Sequence, residues 1–308
     1  MRIIKDFFKW IQLRIDSNKT YKIGYILEGH PKTKSDYEKL FAAFNIKDLF
    51  NDIIPFVRSG IQIKIGELIT QQNFSAHNSQ IGGLPFGFDV VKWPVDRSGE
   101  KLTFLLKICL EEIIPYDING EFKKSGYLFF FHSLNDENWG YSQDDKKLFK
   151  VIFQEDLCNS SKITKYENFC KPRGYYVNFE QYLSIPEESD LLIEGLVNDD
   201  VIDEYSEVSR DSILFGLLGY PDSIQGTMQL DCELYSNGAD YDIYNSLSEL
   251  DREIIKKKSL EWKLLFQFFS DDEKLDIEIG NGGAGYYFIK ETDLINNNFE
   301  DVWCILQH

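Results

Sequence analysis

Five cysteines, four histidines and 51 acidic residues are the groups with which this chain could do chemistry, and the first question is whether their spacing organises any of them. Cys109 with His77 or His132 would be a thiol–imidazole pair for nucleophilic attack, because such partners need to be adjacent only in the fold. Leu106, Ile108 and Leu110 surround Cys109, however, and apolar surroundings raise a thiol pKa, so Cys109 reads as a small core residue. His30, His77, His132 and His308 show no H-E-x-x-H or H-x-H spacing, so a metal site would need ligands from distant segments. Glu111-Glu112, Asp144-Asp145 and Asp271-Asp272 are adjacent, as chance alone predicts in a chain this acidic. Gly280-Asn281-Gly282-Gly283-Ala284-Gly285 looks like a phosphate cradle, but the strand-like Tyr286-Tyr287-Phe288-Ile289 follows where a dinucleotide fingerprint requires a helix. A hairpin or bulge turn fits better. No catalytic, cofactor-binding or metal-ligating residue is assigned.

Trp93 and Trp262 are large aromatic anchors, each with an N–H that needs a partner when buried. Core anchoring is the simpler reading; the sharper one makes them the wall of a cleft, with Gln225 and Gln267 as polar contacts.

The elements that must position these groups are spaced from Ser79-Gln80-Ile81-Gly82-Gly83-Leu84-Pro85-Phe86, a rigid connector of two glycines and a proline closed by Trp93-Pro94. Downstream come Leu102 to Ile108 and Gly126 to Phe131, then Leu218-Gly219-Tyr220-Pro221 with Ile224-Gln225, Trp262 to Phe268, Gly285 to Ile289, and a closing Phe299 to Gln307. In this order the motifs resemble the YwqG-like family, domain of unknown function family 1963, over roughly residues 60 to 308. The resemblance implies a cytosolic α+β protein rich in antiparallel strands, with no activity attached and no catalytic residue to carry over. Lys107 departs from the glutamine that family members commonly carry there, whereas Gln267 keeps it.

The two sets of motifs run in parallel. Leu102 to Ile108 aligns with Trp262 to Phe268, Gly126-Tyr127-Leu128-Phe129 with Gly285-Tyr286-Tyr287-Phe288, and a glycine-proline turn precedes each. The expectation is an internal duplication: related sheet halves at about 79–132 and 216–290 that share a core, with peripheral helices. A ligand would sit in the cleft between them.

Residues 1–59 read as an N-terminal helical extension and 60–308 as the main domain. Ile3, Ile4, Phe7, Phe8, Ile11 and Ile15 recur at helical spacing with Lys and Arg between them, a basic amphipathic helix expected to dock on its own acidic body, with a membrane surface as the alternative. A second helix is expected from Ser35, capped with Glu38, to about Phe50. Ile61 to Ile65 alternates as a strand, and Leu148 to Phe153 and Tyr175 to Phe179 add two more around a polar excursion at 155–173. Ser212 to Leu218 reads as a helix end, Ile224 to Tyr235 as one or two strands, and Ser246-Leu247-Ser248-Glu249 as the start of a helix that ends near Lys256 to Lys258.

Charge is the strongest compositional deviation, 33 basic against 51 acidic residues for a net −18. Such a field disfavours nucleic acid and favours a basic partner. From Glu187 to Asp211 ten acids face only Arg210, so this stretch alone carries −9, either as a solvated surface or as a docking surface. An odd count of cysteines at wide separations suits reduced thiols in the cytoplasm. No apolar run is long enough for a membrane span, and Met1 to Ile15 lacks the uncharged core of a signal peptide. The functional expectation is a non-catalytic protein-binding module, immunity-like or accessory, that masks a basic partner; the alternative is an enzyme or small-ligand receptor using the cleft.

Overall fold

Runs of strand length that are apolar up to their last residue, such as Tyr127–His132 and Ala284–Lys290, cannot leave one face to water, and the fold covers both. The computed structural model describes residues 26–134, 139–158, 173–210, 212–270, 275 and 282–308. The helix expected at 1–17, Cys170, Asp271, Asp272 and most of the 155–173 excursion lie outside the described residues.

The strands are β1 (Arg58–Leu68), β2 (Gln80–Gly82), β3 (Thr103–Cys109), β4 (Tyr127–His132), β5 (Phe149–Gln154), β6 (Gly174–Ser184), β7 (Phe215–Leu218), β8 (Trp262–Phe269), β9 (Ala284–Lys290) and β10 (Trp303–Gln307). They form a ten-stranded sheet in the order β10-β9-β8-β7-β1-β6-β2-β3-β4-β5. The registered pairs are antiparallel. With helices α1 (Lys34–Ala43), α2 (Phe50–Ile53), α3 (Leu110–Ile113), α4 (Ile202–Ser209), α5 (Gln229–Ser236), α6 (Tyr241–Ser246), α7 (Glu249–Ser259) and α8 (Glu291–Ile295), this is a mixed α+β fold with a mostly antiparallel sheet.

Outward from the central pair β1 and β6, the two flanks correspond in strand order. β6-β2-β3-β4-β5 and β1-β7-β8-β9-β10 carry a register shift at the same place, between Phe104 and Leu106 and between Leu264 and Phe266. Gly82 lies opposite Gly174, and Leu218 opposite Gly60. The turns leave the sheet through consecutive left-handed residues, Gly82 (φ 66°) and Gly83 (φ 73°) on one side, Leu218 (φ 59°) and Gly219 (φ 73°) on the other.

The chain divides into two compact units. One comprises residues 59–181 and 213–308, the other 1–58 and 182–212. In the larger unit the interior between the flanks is filled with aromatic rings: Phe130 of β4 lies 4.9 Å from Phe266 of β8 and 5.7 Å from Tyr287 of β9, and Phe149 of β5 lies 5.7 Å from Trp303 of β10. The opposite face of β3 and β4 packs Phe104, Phe129 and Phe131 against Phe88. Aromatic pairs at these distances add about 0.5–1.5 kcal/mol each beyond their burial.

The smaller unit has its own core of Tyr37, Leu40, Phe41, Phe44, Ile53, Ile185, Tyr205 and Val208. Thr33, two residues before the expected cap, closes α1 through a reciprocal box with Asp36 (3.2 and 2.9 Å). Asn45, with φ 60°, follows its end. In the acidic stretch Glu187 and Asp190 are buried, Asp190 accepting from the Leu192 N–H at 2.9 Å.

Two expectations of element type need correction. Phe215 to Leu218 is a buried strand instead of a helix end, because its four residues are covered on both faces and show no period. Residues 229–236 are helical, with Met228, Cys232 and Tyr235 at helical spacing towards the core. Ser248 is the cap of α7, accepting from Asp251 at 3.2 Å.

Candidate functional site

Buried amides and one buried amine gather at the ends of β2 and β7, and each holds the backbone of a loop. On one flank Lys107 of β3 sits opposite Gln80 in the ladder; its Nζ donates to Ala76 O at 2.6 Å and to Phe86 O at 3.3 Å. Gln80 Nε2 donates to Leu84 O at 2.8 Å and Gly82 O at 3.1 Å. Gln154, the last residue of β5, accepts from the Asp89 N–H at 2.9 Å and donates to Gly87 O at 3.2 Å. On the other flank Gln267 of β8 occupies the position of Lys107; it accepts from the Asp222 N–H at 2.9 Å and donates to Ile213 O. Gln307, the last residue of β10, accepts from the Ile224 and Gln225 N–H groups at 2.8 and 3.0 Å and donates to Gly226 O at 3.0 Å. An unpaired buried backbone group costs about 1–3 kcal/mol, which these side chains remove without adding a strand.

The glycines between them are steric requirements. A Cβ on Gly82 would lie 2.5 Å from Arg173 O, and one on Gly83 would lie 2.9 Å from the Gly174 Cα.

Around Lys107 lies a group of interacting titratable side chains. The Cys109 thiol donates to Glu111 Oε2 at 3.2 Å, Ser79 Oγ accepts from the Cys109 N–H at 2.8 Å, and the Ser79 N–H reaches Glu112 Oε2 at 2.8 Å. His77 Nδ1 lies 3.1 Å from the Tyr127 hydroxyl. Burial pushes the Lys107 ammonium down to about 7, against the opposing pull of Cys109 and Glu112. Burial, then the hydrogen bond and charge of Glu111, pushes the Cys109 thiol up to about 11. Burial likewise raises the Tyr127 phenol to about 12. A thiol held protonated against a carboxylate is the reverse of an activated nucleophile.

His132 lies on the other face of β4, where its Nδ1 is 3.0 Å from Tyr287 Oη, whose hydroxyl donates to Phe131 O at 3.0 Å. Burial holds the imidazole neutral, with its pKa down near 3. Its Nε2 is buried without a partner. His77 and His132 thus stand on opposite sides of the sheet, and neither is hydrogen-bonded to Cys109. Among the described residues no group of three or more His, Cys, Asp or Glu side chains is arranged to hold a metal ion.

The four residues expected to wall a cleft are dispersed. Trp93 packs on Phe88 and Phe131 and donates to Leu102 O at 2.8 Å. Trp262 is buried in the main core and donates to Glu233 Oε2 at 2.9 Å, with Lys290 on the same oxygen at 2.9 Å. Gln267 of β8 holds the loop that carries Gln225, whose Nε2 donates to His308 O at 2.9 Å. Gln154, Gln307, Glu233 and Gln80 escaped the sequence reading because single amides and acids carry no motif. A depression of about 550 Å³ beside Gln154, bordered by Lys92, Lys123, Phe153 and Asn297, is polar and open.

Fold and site together define an α+β scaffold in which Lys107, Gln80, Gln154, Gln267 and Gln307 hold its own loops. The chain belongs to the family described as Domain of unknown function (DUF1963), whose profile matches residues 79–307. No curated protein matches the chain. No helix among the described residues is long and apolar enough to cross a membrane.

Proposed function

We propose that this is a non-catalytic binding module, immunity-like or accessory, that masks a basic protein partner in the cytoplasm, and that its two flanks descend from one duplicated unit. The observation that carries the reading is the acid surface of the smaller unit. Glu194, Asp199, Asp200, Asp203 and Glu204 are all exposed within a few turns of chain, in a protein of net charge −18. A field of one sign steers an oppositely charged protein and fixes its register. The commitment of Lys107, Gln267 and Gln307 to loop backbone supports a scaffold role, and the buried, unbridged thiols Cys109, Cys232 and Cys304 suit a reducing compartment. The matched turns and register shifts of the flanks support the duplication.

The test is capture from a lysate at moderate salt by the unmodified chain and by a variant neutralised at Asp199, Asp200, Asp203 and Glu204. Enrichment of basic proteins that is lost in the variant is the expected result. Capture without any basic bias would sink the proposal.

A further inference from the structure

The larger unit carries a cluster of tyrosine rings at its surface, seated on the core through Tyr235. Asp231 and Tyr235 stand four residues apart on α5, hence on one face of that helix. The Tyr235 ring lies 5.1 Å from Tyr141 and 6.5 Å from Tyr241, the first residue of α6. Tyr141 and Tyr241 each keep 42% of their surface exposed. Tyr241 Oη donates to Asp231 Oδ1 at 2.7 Å, which fixes the carboxylate among the rings. Asp240 and Asp242 flank Tyr241 and are exposed.

No ion pair among the described residues involves Asp231, Asp240 or Asp242. Exposed tyrosine rings backed by carboxylates that no cation neutralises leave one kind of ligand complementary on both counts. A cation gains from the ring quadrupoles and from the carboxylates together, whereas an anion or a neutral apolar group loses on one of them. We propose that the tyrosine face around Asp231 seats an arginine or lysine side chain of a basic protein segment. This rests on the binding reading above and adds to it a second contact, separate from the acids of α4. Burial raises the Asp231 carboxyl pKa, and burial and then Asp231 raise those of Tyr141 and Tyr235; burial and the Asp231 hydrogen bond raise that of Tyr241 to the same end. Negative charge is penalised at this face until a cation enters.

The test is fluorescence anisotropy of a labelled oligo-arginine peptide titrated with the full chain. Tyr241→Ala and Asp231→Asn should each weaken binding roughly tenfold, and Tyr241→Phe by less than Tyr241→Ala, because it keeps the ring. Asp242→Lys changes an exposed side chain only, so it should weaken binding by a similar factor with an unchanged circular dichroism spectrum. Wild-type affinity in a folded Asp242→Lys protein and in Tyr241→Ala overturns the proposal. If binding is then lost only on neutralising the acids of α4, the masking reading survives and the tyrosine site does not. No binding by the unmodified chain overturns both.

Discussion

Lys107 shows how one side chain couples the ladder to a loop and to pH. Its amine is buried, opposes Gln80 across the strands, and donates to two loop carbonyls. In the unfolded chain it titrates near the ordinary 10.5; in the fold, burial lowers it to about 7. Between these values the unfolded state binds more protons, so this group makes stability rise with pH across that window and adds no slope below it. Lys107→Gln, which installs the residue type of Gln267, removes that titration. The stability of the unmodified protein relative to the variant should climb from about pH 7 towards 10.5, by at most about 1.4 kcal/mol per pH unit. Urea unfolding of both proteins at a series of pH values checks this, and parallel curves would refute it. The sequence marks position 107 as a departure from Gln267, but which carbonyls the amine meets depends on residues 76 and 86, and no local pattern links them. His132 was equally opaque, since alternation along β4 was masked by a run in which every residue is buried.

The strands after the glycine-proline turn, the repeat of that turn and the cap region of α7 were legible because each has a local cause. β7 and α5 were misread where the local signal is thin. Phe215 to Leu218 is too short to show a period, and Ile224 to Tyr235 mixes an extended loop with a short helix on which Met228, Cys232 and Tyr235 share the core-facing spacing. The turn that opens each flank is the element on which position depends most. Gly83→Ala places a side chain at φ 73° and 2.9 Å from the Gly174 Cα, whereas Gly99→Ala at φ 86° meets nothing within 4 Å. Both lose the left-handed freedom of glycine, worth about 1–2 kcal/mol. Only Gly83→Ala also forces two backbones apart, and it should lower the melting temperature clearly more than Gly99→Ala. Equal losses would show that the β2–β6 contact yields at no cost. Ser248→Ala at the exposed α7 cap should cost about 1 kcal/mol by urea unfolding, and no measurable loss would show that the cap is dispensable.

For the whole molecule the decisive quantity is the imbalance of 51 acids over 33 bases. Surface ion pairs such as Arg97–Asp145 at 2.7 Å and Lys146–Asp301 at 2.8 Å weaken with salt, but each is worth no more than about 1 kcal/mol. Against them stands the repulsion of the excess negative charge, which acts over the full Debye length. Raising ionic strength from about 0.01 to about 0.15 M shortens that length from about 30 to about 8 Å. The melting temperature should therefore rise, by about 2 °C for each kcal/mol of relieved repulsion in a chain of this size. The same salt screens attraction between the acidic surface and a basic peptide, so the affinity for oligo-arginine should fall over the same range. Opposite signs in one salt titration, stability up and binding down, are what a single acid excess requires. Binding that is indifferent to salt while stability rises would mean that the excess charge strains the fold without serving recognition.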